Sequence, residues 1–430
     1  MKKQLLILFL IIPFIAFAQT KSAQKSPPLT NASPESVGMS SERLARIDAV
    51  CEQAVANGDV PGVVALVARN GKIIYHKAFG QSDISANRAM KTDDIFRIAS
   101  QTKAITATAV MMLWEEGRFQ LDDPISRWIP EFKNPQVLTK FQYSDTSYTS
   151  VPATREITIR HLLTHTSGIG YGQIDPDEGF KMLFQKAGVH EIASTTPTTT
   201  AENIKKLAKL PLHSNPGEKY LYSMGLDVLA YFVEVVSGMP FDQFLQQRLF
   251  EPLGMTDTYF YLPAEKANRL VSLYVPSRKG WVTLPTTETN DPNYPTGKVR
   301  TLFSGGGGLS STAKDYATFL QMYLNNGELN GIRILSRTTI QAMMGNQIGD
   351  LWGDRGSYYG LAFAVVDQKG QDKGGAGSVG TFSWGGAFNT QYFADPKEGI
   401  IGVIMKQTLY GQGDKTGWQF RQLIGQAVDN

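Results

Sequence analysis

The sequence is poor in cysteine, since Cys51 is the only one in 430 residues. A lone thiol cannot form an internal disulfide, and it cannot supply a thiolate cluster for a metal ion. Cys51 shares one helical stripe with Leu44, Ile47 and Ala54, a spacing that is typical of a buried and unreactive thiol. A disulfide framework and a cysteine-based metal site are therefore excluded.

The chain also lacks an excess of charge of either sign, with 42 Lys and Arg against 39 Asp and Glu. Without residues 1–18, which contain Lys2 and Lys3, the chain has 40 Lys and Arg against 39 Asp and Glu and a net charge of +1. A nearly neutral chain does not attract nucleic acid or an anionic membrane surface through its overall field. We expect neither of them as a partner.

Long apolar runs are absent beyond the amino terminus. There, Lys2 and Lys3 form a basic start, residues 5–15 an apolar core, and Ala-Phe-Ala at 16–18 a small-residue cleavage site. This pattern predicts a secretory signal peptide over residues 1–18. No later stretch reaches the ~18 uninterrupted apolar residues that a membrane span needs, so no span is expected after signal removal. The mature protein is expected to be exported, either to the periplasm or outside the cell.

The length of the mature chain, about 410 residues, exceeds what one hydrophobic core usually serves, so two substructures around a cleft are expected. Residues 19–33 are rich in Lys, Gln, Ser, Thr and Pro and are predicted to be a flexible lead-in. Strand-like patterns in residues 34–125 and 300–430 predict one α/β sheet domain that both parts build. Residues 126–299 alternate helical stripes with polar loops and are predicted to be a mostly helical insertion.

The first part of the sheet domain contains the clearest turn signal. Residues 63–69 and 72–79 have strand-like composition and flank Asn70-Gly71, a pair typical of a two-residue hairpin. A helix with Ser40 as its N-cap is predicted before this hairpin. Further strand patterns and a last helix are predicted near the carboxyl end, at 359–367, 380–393, 399–407 and from about Thr416. This order predicts an α+β fold, an antiparallel sheet with helices on its faces, rather than a Rossmann repeat.

A possible catalytic pair stands at the start of an apolar helix. Ser100 and Lys103 are three residues apart, so they share one helix face and the amine can reach the hydroxyl. No charge follows Lys103 until Glu115, which predicts a desolvated amine. Such an amine can take the proton of a serine and turn its hydroxyl into a nucleophile. The pattern indicates an acyl-transfer site, although a helix cap with a snorkelling lysine stays open as the alternative.

The Ser-x-x-Lys spacing is not specific by itself, because it occurs three times. One copy, Ser22 with Lys25, lies in the predicted lead-in. Another, Ser311 with Lys314, opens a predicted helix in which Lys314 lies off the apolar stripe and points to solvent. We predict that Ser311 is only the N-cap of that helix. The uncharged helix behind Ser100 distinguishes the central copy from this one.

Two further motifs follow downstream, Tyr-Leu-Tyr-Ser-Met-Gly at 220–225 and Ser-Trp-Gly-Gly-Ala at 383–387. In order and spacing, these motifs together with residues 96–103, 121–124 and 159–168 resemble the serine β-lactamase and penicillin-binding-protein superfamily. The resemblance covers most of the mature chain and is greatest to the class C β-lactamase-like branch that includes family VIII carboxylesterases. It implies a β-lactamase/transpeptidase-like fold, with the active site between the sheet domain and the helical insertion.

The resemblance also implies roles for individual residues. Ser100 corresponds to the nucleophile and Lys103 to its base, while Tyr222 corresponds to the tyrosine that relays a proton to the leaving atom. The oxyanion hole would use the backbone N–H groups of Ser100 and Ala387, which would stabilise the developing charge. Without the resemblance, Tyr222 would be interpreted as a core aromatic residue. No metal or organic cofactor is implied.

The sequence departs from the β-lactamase pattern at two of these motifs. Met224 replaces an asparagine, and Trp384, Gly385 and Gly386 replace a Lys-Thr-Gly or His-Thr-Gly motif. In lactam-active relatives, the polar groups at these positions hold the amide and carboxylate of the substrate. Met224 and Trp384 would instead offer an apolar wall to an acyl or alcohol group. Both departures resemble the esterase branch and favour an ester over a lactam.

These observations predict a secreted serine hydrolase that cleaves esters, and in some cases amides, of small molecules through an acyl-enzyme. A β-lactamase, a D-amino-acid peptidase or an acyltransferase is the alternative within enzymes, so the substrate partner is a small ester, lactam or peptide-like molecule. A non-catalytic binder of cell-wall peptides is the alternative from another class. Zinc at His161 and His165 is disfavoured, because Leu162 stands where a metalloprotease has its glutamate. No pattern indicates an oligomeric state.

Overall fold

The computed structural model describes residues 21–287, 291–409 and 413–430. The predicted signal peptide, residues 1–18, lies outside the described residues. The strands in chain order are β1 (Thr30–Asn31), β2 (Gly62–Arg69), β3 (Lys72–Asp83), β4 (Arg88–Ala89), β5 (Phe96–Arg97), β6 (Gln136–Phe141), β7 (Tyr148–Pro152), β8 (Tyr274–Ser277), β9 (Gly280–Thr283), β10 (Ser310–Ser311), β11 (Glu328–Leu329), β12 (Ile332–Arg333), β13 (Ser357–Tyr359), β14 (Ala364–Val366), β15 (Phe382–Gly386), β16 (Thr390–Asp395) and β17 (Ile400–Met405). The α-helices are α1 (Ser41–Leu44), α2 (Arg46–Ala56), α3 (Thr102–Glu115), α4 (Ile159–Leu163), α5 (Glu178–Ala187), α6 (Thr200–Leu207), α7 (Gly225–Ser237), α8 (Phe241–Leu245), α9 (Glu251–Leu253), α10 (Ala313–Leu324), α11 (Arg337–Met344), α12 (Gln368–Lys373) and α13 (Thr416–Gln426).

The two ends of the chain share one sheet. Its strands follow the order β1-β3-β2-β17-β16-β15-β14-β13, with β4 paired to β3. The hairpin of β2 and β3 turns at Asn70 and Gly71, whose φ angles of 50° and 76° suit a tight hairpin turn and confirm that prediction. β17 then pairs antiparallel with β2, with Ile400 opposite Arg69. The pairings of this sheet are antiparallel except that of β1 with β3, so the predicted antiparallel sheet is confirmed.

Helices cover both faces of the sheet, and this explains why β2 is apolar throughout. Val63, Ala65 and Val67 belong to a core that β2 forms with α2 and α13. Val64 and Leu66 point the other way, into the larger core that contains α3, α7 and α10. Successive side chains of a strand point to opposite faces, so a strand between two helical layers has no polar face.

The segment between the two halves of the sheet contains α4 to α9 and also two antiparallel hairpins, β6–β7 and β8–β9. Its helix α7 is followed by Gly238, whose φ of 73° gives a left-handed C-cap. Within the described residues, no single helix is long and apolar enough to cross a membrane. The helical segments Gly225–Ser237 and Phe241–Leu253 meet these criteria of length and composition only when they are counted together, and the chain bends by 79° between them.

Three local predictions need revision. Residues 380–393 are not one strand but β15 and β16, because the chain turns at 387–389, where Asn389 adopts a φ of 67°. Helix α10 is capped by Thr312, whose hydroxyl accepts from the Asp315 N–H at 3.1 Å, because Ser311 is already part of β10. Part of the predicted lead-in is tied to the body, since the Ser22 N–H donates to the Gly331 carbonyl at 2.9 Å.

Candidate active site

Ser100 lies in a tight turn, Ala99–Gln101, that leads directly into α3. Ala99 has a φ of 43°, a left-handed conformation that is costly for a residue with a Cβ and that the surrounding contacts must maintain. Two contacts fasten the turn: the Ile98 N–H donates to the Leu309 carbonyl at 3.0 Å, and the Tyr316 hydroxyl donates to the Gln101 carbonyl at 3.0 Å. The serine hydroxyl is therefore placed by backbone contacts from a distant part of the chain.

Lys103 is the second predicted residue, and it is almost completely buried, with 1% of its surface exposed. Its Nζ lies 3.3 Å from the Ser100 Oγ, 3.1 Å from the Tyr171 hydroxyl and 2.6 Å from the Gly306 carbonyl oxygen. Within the described residues, these three hydrogen-bond contacts of the amine are all with neutral groups. A lysine amine in contact with a serine hydroxyl has the geometry of a general base for that serine.

Tyr222 is the third predicted residue, and its ring lies beside the amine. The Lys103 Nζ is 4.6 Å from the centroid of that ring, which also stacks on Tyr171 at 5.4 Å. The Tyr222 hydroxyl accepts from the Trp384 Nε1 at 3.4 Å. Among the described residues, it makes no hydrogen bond with Ser100 or Lys103. The structure thus brings Tyr222 to the pair through its ring, while its hydroxyl faces β15.

The third motif passes directly behind the serine turn. A Cβ on Gly386 would lie 2.4 Å from the Ile98 carbonyl oxygen, so only glycine lets β15 approach so closely. At Gly385 a Cβ would meet the Thr390 carbonyl oxygen at 3.2 Å, a tight contact within the sheet. Ala387 follows at the start of the turn after β15. The strand that carries Trp384 to Ala387 is therefore adjacent to the Ser100 turn.

The turn that carries Ala387 is itself held by a buried polar network. The Asn389 Nδ2 donates to Thr408 Oγ1 at 3.0 Å and to Asp414 Oδ2 at 2.9 Å. Asp414 also pairs with the fully buried Lys406 at 2.5 Å. Although burial opposes ionisation, this ion pair holds the pKa of Asp414 at about 2. Asn389 thus links the turn to a carboxylate that stays charged.

Met224 does not occupy the place predicted for it. Its side chain is 0% exposed and packs in the main core at the start of α7, so it cannot line a substrate pocket. Met224 is the N-cap residue of α7, which begins at Gly225. The apolar groups at this motif are therefore aromatic rings, among them Tyr222 and Trp384, which lie 5.8 Å apart.

Three residues at the site were not identified from the sequence, namely Tyr171, Asp227 and Gly306. Asp227 is buried, and its Oδ1 accepts from the Ser304 hydroxyl at 2.6 Å and the Gly306 N–H at 3.1 Å. Burial raises the pKa of this carboxyl. It orients Gly306, whose carbonyl accepts from Lys103. A Cβ on Gly306 would lie 2.2 Å from Asp227 Oδ2, so the four-glycine run was the available signal.

The two histidines that suggested a metal pair have other partners. His165 Nδ1 accepts from the Ser223 N–H at 3.1 Å, and burial, with a further effect of Lys103, lowers its pKa well below the usual range. His161 Nδ1 accepts from the Thr158 N–H at 3.1 Å and so takes part in the cap of α4. Both rings therefore serve local packing as neutral groups. Among the described residues, no group of three potential metal-binding side chains lies together.

An antiparallel sheet between helical layers, with a buried Ser–Lys pair beside a tyrosine and a glycine-bearing strand, defines a β-lactamase-like serine hydrolase. Comparison with protein families places residues 47–426 in the family described as Beta-lactamase. The chain belongs to this family, and it is a serine hydrolase of the wider β-lactamase and penicillin-binding-protein group, as the motifs predict.

Two relatives and one solved structure are described as esterases or hydrolases. Esterase EstB of Burkholderia gladioli is 33% identical over 382 residues, which cover 85% of this chain and 91% of the relative. Lovastatin esterase of Penicillium rubens is 29% identical over 381 residues, 83% of this chain and 91% of the relative. The structure of EstCE1, a hydrolase with promiscuous acyltransferase activity, aligns with a TM-score of 0.76 at 27% identity, over 89% of this chain and 98% of that chain.

Proposed function

We propose that the protein is an exported esterase that hydrolyses small-molecule esters through an acyl-enzyme on Ser100. The observation that carries this proposal is the 3.3 Å contact between Ser100 Oγ and the buried Lys103 Nζ. In the proposed cycle, Lys103 takes the hydroxyl proton while Oγ attacks the ester carbonyl carbon. The proton then passes, with the help of Tyr222, to the departing alcohol. Water releases the acid and restores Ser100.

The proposed oxyanion hole consists of the backbone N–H groups of Ser100 and Ala387. Each N–H that points at a developing oxyanion accelerates acyl transfer by about 10²–10³-fold. Support comes from the contact of Gly386 with the Ile98 carbonyl, which brings β15 next to the serine turn. This arrangement would stabilise the negative charge that forms on the carbonyl oxygen during attack.

The preference for esters rests on the third motif. Trp384 stands there with its Nε1 engaged by Tyr222, and neither Gly385 nor Gly386 has a side chain to bind the carboxylate of a lactam. Loss of a charge-assisted hydrogen bond weakens binding by about 1.5–3 kcal/mol. The names of EstB and lovastatin esterase agree with this preference. A β-lactamase or a peptidase would need such a polar contact elsewhere.

The test uses the purified mature protein with p-nitrophenyl butyrate and a cephalosporin. We expect ester turnover that exceeds cephalosporin turnover, and a fluorophosphonate adduct that mass spectrometry locates on the peptide containing Ser100. The matched variant Ser311→Ala should keep both properties, while Ser100→Ala should lose both. A faster cephalosporin reaction would contradict the esterase proposal, and an adduct elsewhere would contradict the nucleophile. Export is tested separately by sequencing the amino terminus of the secreted protein, which should begin at Gln19.

A further inference from the structure

A cavity of about 410 Å³ adjoins the predicted oxyanion residue Ala387. Part of its wall is apolar and consists of Ile192, Leu273, Leu284, Phe388 and Leu409. These side chains pack in one cluster with Ala99, the residue before Ser100. Cavities of this size and character typically hold small ligands. Ser100 is not itself in the lining, but Ala387 is and the neighbouring Ala99 packs against the wall, so the cavity lies next to the serine turn.

The lining of the cavity indicates which part of a substrate it takes. Ala387 is among the lining residues, but Tyr222 and Trp384 are not. In the proposed reaction, the leaving alcohol departs on the side of Tyr222, which supplies its proton. The cavity on the other side of the carbonyl group would then hold the acyl part of the ester.

Among the described residues that line the cavity, one has a carboxylate, namely Glu191. Its Oε1 accepts from the Gln173 N–H, which keeps the side chain in place beside Gly172. The next residue, Ile192, packs against Gly307, since a Cβ there would lie 2.9 Å from Ile192 Cγ1. Glu191 is thus placed next to the loop whose Gly306 carbonyl holds Lys103.

Within the described residues, no basic side chain forms an ion pair with Glu191. The lysine that also lines the cavity, Lys181, pairs with Glu178 at 2.6 Å instead. Burial is the main cause that raises the pKa of Glu191 to about 7, while the hydrogen bond from the Gln173 N–H opposes this increase. Another ionisable group in the lining is His190, whose pKa burial lowers. A bound cation would therefore meet a carboxylate that has no basic side chain in ion-pair contact among the described residues.

We propose that Glu191 and the apolar wall bind an acyl group that carries an ammonium, so that the preferred substrates are esters of amino-substituted apolar acids. The inference rests on the proposed function, because it assigns the acyl specificity of the same site. An ammonium donates charge-assisted hydrogen bonds to a carboxylate, and these are stronger than neutral ones in a poorly hydrated site. The methylene groups of the acid would contact Ile192 and Phe388 in the same cavity.

The experiment compares esters that differ only in charge. Ethyl esters of leucine, 4-aminobutanoic acid and 6-aminohexanoic acid are each paired with the ester in which a methyl group replaces the ammonium. Ethanol release at pH 8 gives kcat/KM for the wild type, Glu191→Gln and the control Glu52→Gln, which changes an exposed glutamate of α2 that does not line the cavity. For at least one pair, we expect the wild type to favour the amino ester, and Glu191→Gln to reduce that preference by about 10- to 100-fold. Glu52→Gln should leave the preference unchanged.

The outcomes separate this inference from the proposed function. If the neutral esters are hydrolysed but no amino ester is preferred, the ammonium site is wrong and the esterase proposal stands. Equal losses on both members of a pair in Glu191→Gln would also overturn the inference, because they would reflect a general structural role. If the wild type hydrolyses none of the esters, the proposed function itself fails.

Discussion

The Ser-x-x-Lys segments at Ser100 and at Ser311 have the same spacing but place their lysines differently. Lys103 is buried, whereas Lys314 is exposed to solvent. Ser311 forms a hydroxyl pair with Thr258 at 2.8 Å, and it lies on β10, which pairs with β5 just before the Ser100 turn. The two segments are therefore neighbours in space. The comparison teaches that three-residue spacing provides reach, while residues from distant parts of the chain decide whether the lysine is enclosed.

The largest effect should come from removing the two hydroxyl groups separately. Ser100→Ala should lower kcat for p-nitrophenyl butyrate by about 10⁴-fold or more, because no other oxygen occupies the nucleophile position. Ser311→Ala should keep kcat and lower the free energy of unfolding by about 1 kcal/mol, since Thr258 loses a hydrogen-bond partner. Stopped-flow kinetics measure kcat for both variants, and denaturant unfolding measures the free energy of unfolding. Equal activities in the two variants would contradict the assignment of Ser100, and not Ser311, as the nucleophile.

The amines provide the next comparison. Lys103→Met should lower kcat by about 10²–10⁴-fold, because the general base is lost. Lys314→Met should leave kcat unchanged, because that amine is in water. Circular dichroism verifies that both variants are folded, and a Lys103→Met enzyme of normal activity would contradict the assignment of the base.

A smaller effect is expected for the turn that carries Ala387. Asn389→Gly keeps the left-handed backbone conformation but removes the amide that binds Asp414 and Thr408. We expect kcat to fall by about tenfold with little change in KM, because a loose N–H stabilises the oxyanion less well. Asn87→Gly is the matched control: Asn87 has a φ of 48° and accepts one side-chain hydrogen bond, from Gln81 at 2.6 Å.

That control should retain wild-type kcat, because its turn lies between β3 and β4 and carries no predicted site residue. A higher KM with an unchanged kcat for Asn389→Gly would show that the network shapes substrate binding rather than the oxyanion hole. An equal loss in both variants would trace the effect to general loosening of turns.

The last prediction concerns stability rather than activity in the Ser311 region, and it depends on pH. Burial raises the pKa of Asp315 to about 6, while its Oδ2 accepts from the Asp257 N–H at 2.7 Å. A carboxyl whose folded pKa is raised stabilises the protein fully below its unfolded pKa, near 4, and this contribution is lost as pH rises through about 6. Asp315→Asn should therefore gain stability relative to the wild type between pH 4 and pH 8, by at most about 3 kcal/mol. Thermal unfolding at both pH values measures this change, and a constant difference would contradict it.

The local elements of the fold were predictable because short-range chemistry determines them. Asn70 and Gly71 adopt the positive φ angles that a tight hairpin needs, whatever the rest of the chain does. Ser100 and Lys103 share a helix face for the same reason. The resemblance to a known family then identified Tyr222 and the strand at Trp384, which no local pattern would have brought to the same site.

The remaining parts of the site depend on long-range packing. Tyr171 reaches Lys103 from 68 positions away, and Gly306 reaches it from 203 positions away. In the sequence, Tyr171 is one aromatic residue among many and Gly306 is part of a glycine run, and many loops contain such residues. Met224 was misplaced because the exact residue at which α7 begins decides whether a side chain faces the pocket or the core. Helix starts of this kind are set by tertiary contacts.

The pairing of β2 with β17 has a consequence for how the protein acquires its structure. Arg69 donates to the carbonyl of Glu398 across 329 positions of sequence, at the edge of this central pairing. Contacts between such distant residues are slow to form, because a very long loop must close first. During synthesis, the edge of β2 that pairs with β17 stays unpaired until β17 has been made. An unpaired edge of an apolar strand favours aggregation. The strand β15, which leads to the proposed oxyanion residue Ala387, is thus among the last parts to be made, and the proposed nucleophile Ser100 gains this neighbour only late in synthesis.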